Sequence, residues 1–460
     1  MKFAKLSLAT VLALGSSAYA LELENIKVSG QATLYYQTMS NNPQAPWYGL
    51  GGKSDKHISD DNGLFHKDQS KANVGFSIKF ESDLGNDFGF GTKLNVLETL
   101  GLEHNLVSDT MQNVGSINDG DAVKVRTSIT DNERYEIPNN SDEIYFGEAY
   151  LTKKIGNTLL KAGRQELNTP LLFTEKWNVL PTTFDAVVAI NSDVENLTLI
   201  GAYVSKSNTH GSLGNFNTIV AIDTDNNTTN GYEIASNNGA YAIGALYSQD
   251  EIKANAWLYN VPAVIDAVWA DVTYKADGMT IVGQATQLMF NDAISKADDT
   301  LGLAGKVAYK VSESTTVCLA GSMTTGKSKS HNVANFGTGF KTKLATATIS
   351  GDGDVAGATD TTAYKIKVVQ NLGEYGKLIG QFAQYMHGTD SSVNFTNLKD
   401  KRDDLTATVF EALYKQKVGN VNILGAYMFD QNVKGWTVKK SDSDDSESAH
   451  TVRIVLNYKF

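Results

Sequence analysis

The stretch that decides the fold is TVRIVLNYKF, positions 451–460. Val452, Ile454, Leu456, Tyr458 and Phe460 alternate with Arg453, Val455, Asn457 and Lys459. A period of two sends successive side chains to opposite faces of a strand, so one face is apolar and aromatic and the other mostly polar. A terminal strand of a water-soluble domain usually runs into a frayed polar tail, because its last residues gain too little burial to offset their ordering entropy. Here the strand pattern persists to an aromatic last residue. The expectation is a sheet closed on itself with no free edge. Barrels that span a lipid bilayer are built this way, since every backbone N–H and C=O there needs an internal partner.

The other end reads MKFAKLSLATVLALGSSAYA, with Lys2 and Lys5, an apolar run from Leu6 to Leu14, and Ala18-Tyr19-Ala20. This is the pattern of an export signal over residues 1–20, cleaved after Ala20. The apolar run is well short of the roughly 20 residues that a membrane helix needs. No later stretch is apolar for long enough, so a membrane-embedded form would cross by strands. Cys318 is the only cysteine, which excludes an internal disulfide and reads as a small wall residue. Forty glycines, twenty tyrosines and six prolines suit many strands joined by tight turns. No linker or compositional break divides the chain, so residues 21–460 are expected to form a single barrel.

Strand-like segments recur as hairpins. Val74, Phe76, Ile78 and Phe80 alternate with Gly75, Ser77, Lys79 and Glu81; the turn 83–86 follows, and then Phe88, Phe90, Leu94 and Val96 interleave with Gly91, Lys93 and Asn95. Comparable turns fall near 156–157, 191–193, 249–251, 277–278, 312–314, 373–376 and 419–420. Strands on both sides of each, plus the terminal ones, give an all-β transmembrane antiparallel barrel of about 18 strands. The short turns suit the periplasmic rim of an outer-membrane barrel. Longer polar connections at 39–70, 101–141, 168–184, 207–237, 327–361, 388–403 and 431–448 suit the extracellular face.

The formal charge is −11, which disfavours nucleic acid as a partner. The strands carry a different message. With the apolar faces turned to lipid, Lys79, Lys93, Lys306, Lys310, Lys365, Lys367 and Arg453 fall on the opposite, lumen-facing side, together with Glu81 and Asp271. Surplus acid lies in loops such as KSDSDDSESAH at 440–450. Lumen and loops are therefore expected to carry opposite fields, although any single lysine is also explained as the wet face of a sheet.

Three stretches resemble OprD-like porins and the major outer-membrane porins of campylobacter-type bacteria. They are VSGQATLYYQT at 28–38, GEAYLTKKIGNTLLKAGRQELNTPLLFTEKWNVLP at 147–181, and HTVRIVLNYKF at 450–460. The resemblance implies an 18-stranded channel whose third long loop, here 168–184, folds inward as a constriction. It also implies members that often form homotrimers, and channels that serve either as general pores or for amino acids and small carboxylates. By the same resemblance Arg164, Glu175, Lys176 and Asp185 are constriction candidates. Leu171, Leu172, Phe173, Trp177 and Leu180 make this loop too apolar to be freely solvated, in keeping with an inward position.

Other motifs lack their context. GSMTTGKS at 321–328 matches a phosphate-binding loop, but KSHNVANFGTG after it has no helical apolar stripe. DTDNNTTNGYE at 223–233 has Thr228 where an EF-hand loop needs glycine. Asp223, Asp225 and Asn227, and likewise Asp352 and Asp354, remain candidates for weakly bound calcium against the competing reading of solvated turns. The seven histidines show no spacing suited to zinc, and no catalytic grouping emerges. The expected function is a passive outer-membrane channel for ions and small hydrophilic solutes, without a required cofactor. A surface adhesin and an outer-membrane hydrolase are the rival classes.

Overall fold

The computed structural model describes residues 26–40, 64–65, 70–98, 143–177, 179–209, 212–213, 239–262, 264–290, 298–327, 330–339, 341–393, 405–433 and 448–460. The export-signal segment 1–20, the connections 101–141 and 207–237 for the most part, the 223–233 motif and the acidic run 440–447 lie outside them.

Eighteen antiparallel strands form one sheet: β1 Lys27–Met39, β2 Ser70–Gly85, β3 Phe88–Glu98, β4 Glu143–Ile155, β5 Thr158–Gln165, β6 Phe184–Asn191, β7 Leu197–Thr209, β8 Ala240–Gln249, β9 Ile252–Val261, β10 Ile265–Ala276, β11 Met279–Phe290, β12 Thr300–Lys310, β13 Thr315–Thr324, β14 Thr361–Asn371, β15 Lys377–His387, β16 Leu405–Val418, β17 Val421–Gln431 and β18 Ser448–Lys459. Each pairs with its sequence neighbours, and β1 pairs with both β2 and β18, Tyr35 lying across from Asn73 and Val455. The sheet is thus a closed barrel with no edge. A two-residue ladder, Ser212–Leu213, extends β7 beyond it.

The short turns fall where the glycine and Asx signals put them. Asp277 (φ 49°) and Gly278 (φ 77°) both adopt left-handed backbone, the geometry that matches a two-residue hairpin to strand twist. Closure at the seam depends on the last residue. Phe460 and Gly30 exchange backbone hydrogen bonds of 2.9 and 3.1 Å. The Phe460 ring stacks on Phe76, with centroids 6.0 Å apart. It lies over Gly30 so closely that a Cβ there would stand 2.3 Å from Cζ. Glycine at position 30 is the space into which the terminal ring folds.

Alternation holds around the ring. On β14, Tyr364 and Ile366 are exposed on the outside while Ala363 and Lys365 are buried inside. Two bulges interrupt it: Gly147 of β4 opposite the Lys93/Leu94 step, and Ser205 of β7 opposite the Asp185/Ala186 step. Each inserts one residue and so switches the parity of its strand beyond that point.

The upper interior is filled. Leu167, Leu171, Leu172, Phe336 and Leu344 from two loops pack on Trp257, Tyr259, Trp269 and Leu288 of the wall. Loop 166–183 therefore turns inward, where its apolar residues find cover. The connection 327–361, expected from its length and polarity to be a solvated outer loop, instead lies inside as well over its described residues, which follow β13 from 325 and run to 360. Val355 and Ala356 near its end pack on Ala363, Ala383 and Tyr385. Its threonines and alanines let it lie flat against the wall, and its backbone polar groups find partners there, such as Lys365 Nζ on the Ala347 carbonyl at 2.6 Å.

Candidate functional site

The candidate site is the lumen at and below these two loops, and its geometry begins with the brace that joins them. The Asn335 side chain accepts from the Phe173 amide (3.2 Å) and donates to the Phe173 carbonyl (2.8 Å). The Phe336 amide donates to the Leu171 carbonyl at 2.7 Å. Glu175, 2 % exposed, accepts from Trp177 Nε1 (2.8 Å), Asn335 Nδ2 (2.9 Å) and the Thr338 hydroxyl. The family resemblance marks Glu175 as a charge lining the constriction; the structure buries it between the loops, where it ties one to the other. Lys176 is exposed and forms an ion pair with Glu166.

Two further cations border the passage. Lys341 pairs with Asp352 and lies 5.5 Å from the Trp177 ring centroid. Asp352, a calcium candidate in the sequence, thus faces an ammonium group. Lys343 Nζ donates to Asn168 Oδ1 at 2.7 Å and sits over the Phe173 ring. Burial among these groups holds the Lys343 ammonium down at about 8, with Asp271 opposing the shift.

Below the loops, the charges separate by wall. On β2–β5 they are interleaved: Lys79 pairs with Glu81 (3.1 Å) and Glu148 (3.3 Å), and Lys93 with Glu148 (3.8 Å) and Glu166 (3.7 Å). Burial works against the Glu166 carboxylate, yet Lys176, Lys93 and Lys79 hold it below its usual value. Lys161 Nζ lies 3.7 Å from the Tyr150 ring centroid, and that phenol donates to Glu81 at 2.6 Å. Arg453 faces inward next to them, its Nε on Gln37 at 2.9 Å. Across the barrel, β12–β16 present Lys306, Lys310, Lys365, Lys367, Lys377, Lys415 and Lys417 on their inward parity, against the single acid Glu411 among the described strand residues there. Lys377 and Lys415 are direct cross-strand partners. A cavity of about 880 Å³ opens at the periplasmic end of this wall, lined by Thr316, Val369, Lys377, Lys415, Asn422 and Asn457. Asp271 also faces the lumen, accepting from Trp269 Nε1 (2.8 Å) and Asn255 Nδ2 (2.9 Å).

The lumen thus contains Lys79, Glu81, Lys93, Asp271, Lys306, Lys310, Lys365, Lys367 and Arg453. It does not contain Arg164 and Asp185. Arg164 lies opposite Ala149, on the parity of exposed Leu151, and Asp185 shares the parity of exposed Val187. Their ion pair, 2.8 Å from Nε to Oδ1, is on the outer surface, which corrects the expectation that they help form the constriction. The sequence reading missed Glu148, Lys161, Asn335, Lys341 and Lys343. One signal was available: from Ser330 through Gly351 loop 325–360 has no acidic residue, unlike the acid-rich run 440–450. Of the refused motifs, Gly321–Thr324 of the glycine-rich stretch lies on β13, and 325–327 continue without helix. Among the described residues no group of three metal-ligating side chains is gathered, and no helix is long and apolar enough to cross a membrane.

A closed barrel with an apolar, aromatic exterior and a charged interior narrowed by loops is an outer-membrane channel. Residues 1–348 match the family described as Campylobacter major outer membrane protein, and the chain belongs to that family. None of the curated proteins matches it. Solved structures share the fold. OccK8 (OprE) of Pseudomonas aeruginosa is 12% identical with a TM-score of 0.63, over 95% of this chain and 98% of that one. Acinetobacter baumannii OccAB1 is 15% identical with a TM-score of 0.62, over 95% and 97%. Pseudomonas aeruginosa OpdK, solved with vanillate, is 14% identical with a TM-score of 0.60, over 95% and 99%.

Proposed function

We propose that this outer-membrane channel is a non-enzymatic, passive pore for ions and small hydrophilic solutes, exported with loss of residues 1–20, and that the β12–β16 lysines give it a preference for anions. The observation that carries this reading is the imbalance between walls: bases and acids alternate on β2–β5, whereas seven lysines on β12–β16 face one acid. Fixed charge along a water-filled path concentrates counter-ions and so biases which ion carries current. The path runs below two loops that narrow the lumen, and no energy source or cofactor is needed. A preference for small carboxylates is the finer form of this reading. It is supported by the chemistry of a lysine-rich wall, and by the carboxylate ligand vanillate bound in the distantly similar OpdK.

Neutralising Lys306, Lys310, Lys365 and Lys367 together to glutamine tests the proposal in a planar bilayer under a salt gradient. The reversal potential should move toward the cation value while channels still open in steps. An unchanged reversal potential would remove these lysines from the selectivity mechanism, and an absence of steps in the unaltered protein would favour the adhesin reading.

A further inference from the structure

Where β1 begins, the chain leaves the wall. β2 runs on from Glu81 to Gly85, but its pairing with β1 stops at Lys27–Glu81, and Ile26 lies outside the strand. Leu21-Glu22-Leu23-Glu24-Asn25 lie outside the described residues and head the chain once residues 1–20 are lost. Continuing along β2 would bring Glu24 beside a turn that carries Asp83 and Asp87. On the other side, across the β1–β18 seam, the inward positions near the periplasmic rim are basic: Lys459 of β18, Lys415 and Lys417 of β16, and Lys377 of β15. Lys377 and Lys415 stand directly opposite each other, where like charges repel. Among the described residues none of these four lysines takes part in an ion pair.

Lys377, Lys415 and Lys417 line the cavity of about 880 Å³ at the periplasmic end, with Leu424 of β17 and Val455 of β18 between them and β1. Glu313 and Glu374 also border it, from the β12–β13 and β14–β15 turns. We infer that residues 21–25 turn inward from the start of β1 and occupy this cavity, so that the chain's own N-terminus narrows the periplasmic mouth. Glu22 and Glu24 supply the counter-charge that the lysines lack, and Leu21 and Leu23 cover Leu424 and Val455. The reach is sufficient. β16 is three strands from β1, which is about 14 Å across the strands and nearer to 20 Å along a tilted rim. Five extended residues span ~17 Å, and a glutamate and a lysine side chain close the remainder. Alternating leucine and glutamate match a surface in which lysines are separated by apolar residues, whereas the β2 side offers only acids to these carboxylates. The inference rests on the proposed loss of residues 1–20, which gives the segment a free end.

Deleting 22–25 keeps Leu21 beside the cleavage site. Single-channel conductance should rise, and the reversal potential should move further toward the anion value as the lysines lose their counter-charge. Glu22→Gln with Glu24→Gln keeps the length, covers the case in which the deletion fails to assemble, and should give the same shift in potential with a smaller gain in conductance. In a Cys318→Ser background, Glu22→Cys should form a disulfide with Lys417→Cys and not with Lys275→Cys, which is inward near the rim of β10 on the opposite wall. The bridged channel should conduct as it does after reduction. Unchanged conductance and potential in both variants, equal bridging to the two walls, or a bridged channel that conducts less than the reduced one would each overturn the inference. So would block by inorganic phosphate that is equal with and without 22–25, since free anions would then be the occupant. Sequencing the N-terminus of the purified protein separates the two readings: a start other than Leu21 overturns both, and a start at Leu21 with any of those outcomes overturns the inward segment alone.

Discussion

Lys343 carries the most direct consequence at the scale of one residue. Its ammonium is held over Phe173 and against Asn168 at the narrow level of the lumen, and burial lowers its value to about 8. It is therefore charged below that pH and neutral above it, so anion preference should decline as pH rises from about 7 to about 9. Lys343→Arg should keep the preference flat across this range because a guanidinium stays protonated. Lys343→Met should make it flat and weaker. Reversal potentials measured in steps of pH check all three, and a wild-type channel with no pH dependence between those limits would take Lys343 out of the conduction path. Nothing in the sequence singled Lys343 out, since a lysine in an apparently solvated loop has no reason to lose its proton. Arg164 was misplaced for a related reason. TLLKAGRQ has leucines on both parities, so β5 shows no apolar face from which to read direction, and only the neighbouring strand settles it.

At the scale of elements, the strands and periplasmic turns were legible because each is specified locally. Alternation fixes the face, and the residues with positive φ, Asn86 and Asp87 or Asp277 and Gly278, are those that tolerate it. The fate of loop 325–360 was not legible, because its cover comes from residues far away in sequence. Ser322 meets Thr346 at 2.6 Å, the Tyr385 hydroxyl reaches the Thr346 carbonyl at 3.0 Å, and Glu411 accepts from the Ser350 amide at 2.8 Å. Since Asn335 and Phe336 are held by Phe173 and Leu171, the two loops should respond as one unit. Deleting 171–180 should raise single-channel conductance and also add open-channel noise, as the 333–339 segment loses its anchor. Deleting 333–349 as well should then add less than its effect alone, the mark of coupled neighbours. Equal conductance before and after the first deletion would refute an inward constriction, and strict additivity would refute the brace. Glu175→Ala, which removes the shared acceptor, should reproduce the noise without the full gain in conductance.

For the whole molecule, the arrangement of charge around the ring matters more than its sum. A net charge of −11 suggests a cation channel only if the acids line the path, and on β12–β16 they do not. The barrel offers its own probe of that field. Cys318 is the one thiol, it lies inward on β13, and its cross-strand partners are Ala308 and Lys367. Lys306 and Lys365 flank the next inward position, Ala320, so the thiol sits among four lysines counting Lys310. A potential of several kT in such a cleft changes the local concentration of a charged reagent by about tenfold or more. A negatively charged sulfonate methanethiosulfonate should therefore modify Cys318 faster than a trimethylammonium analogue of similar size, and each reaction should step the conductance down. High salt should shrink the difference in rate, because about 3 Å of screening length at 1 M leaves little of the field. With the four lysines changed to glutamine, the two rates should converge. Equal rates in the unaltered protein would mean that the lysine wall does not govern what enters, and no reaction at all would mean that water does not reach β13 from the lumen side.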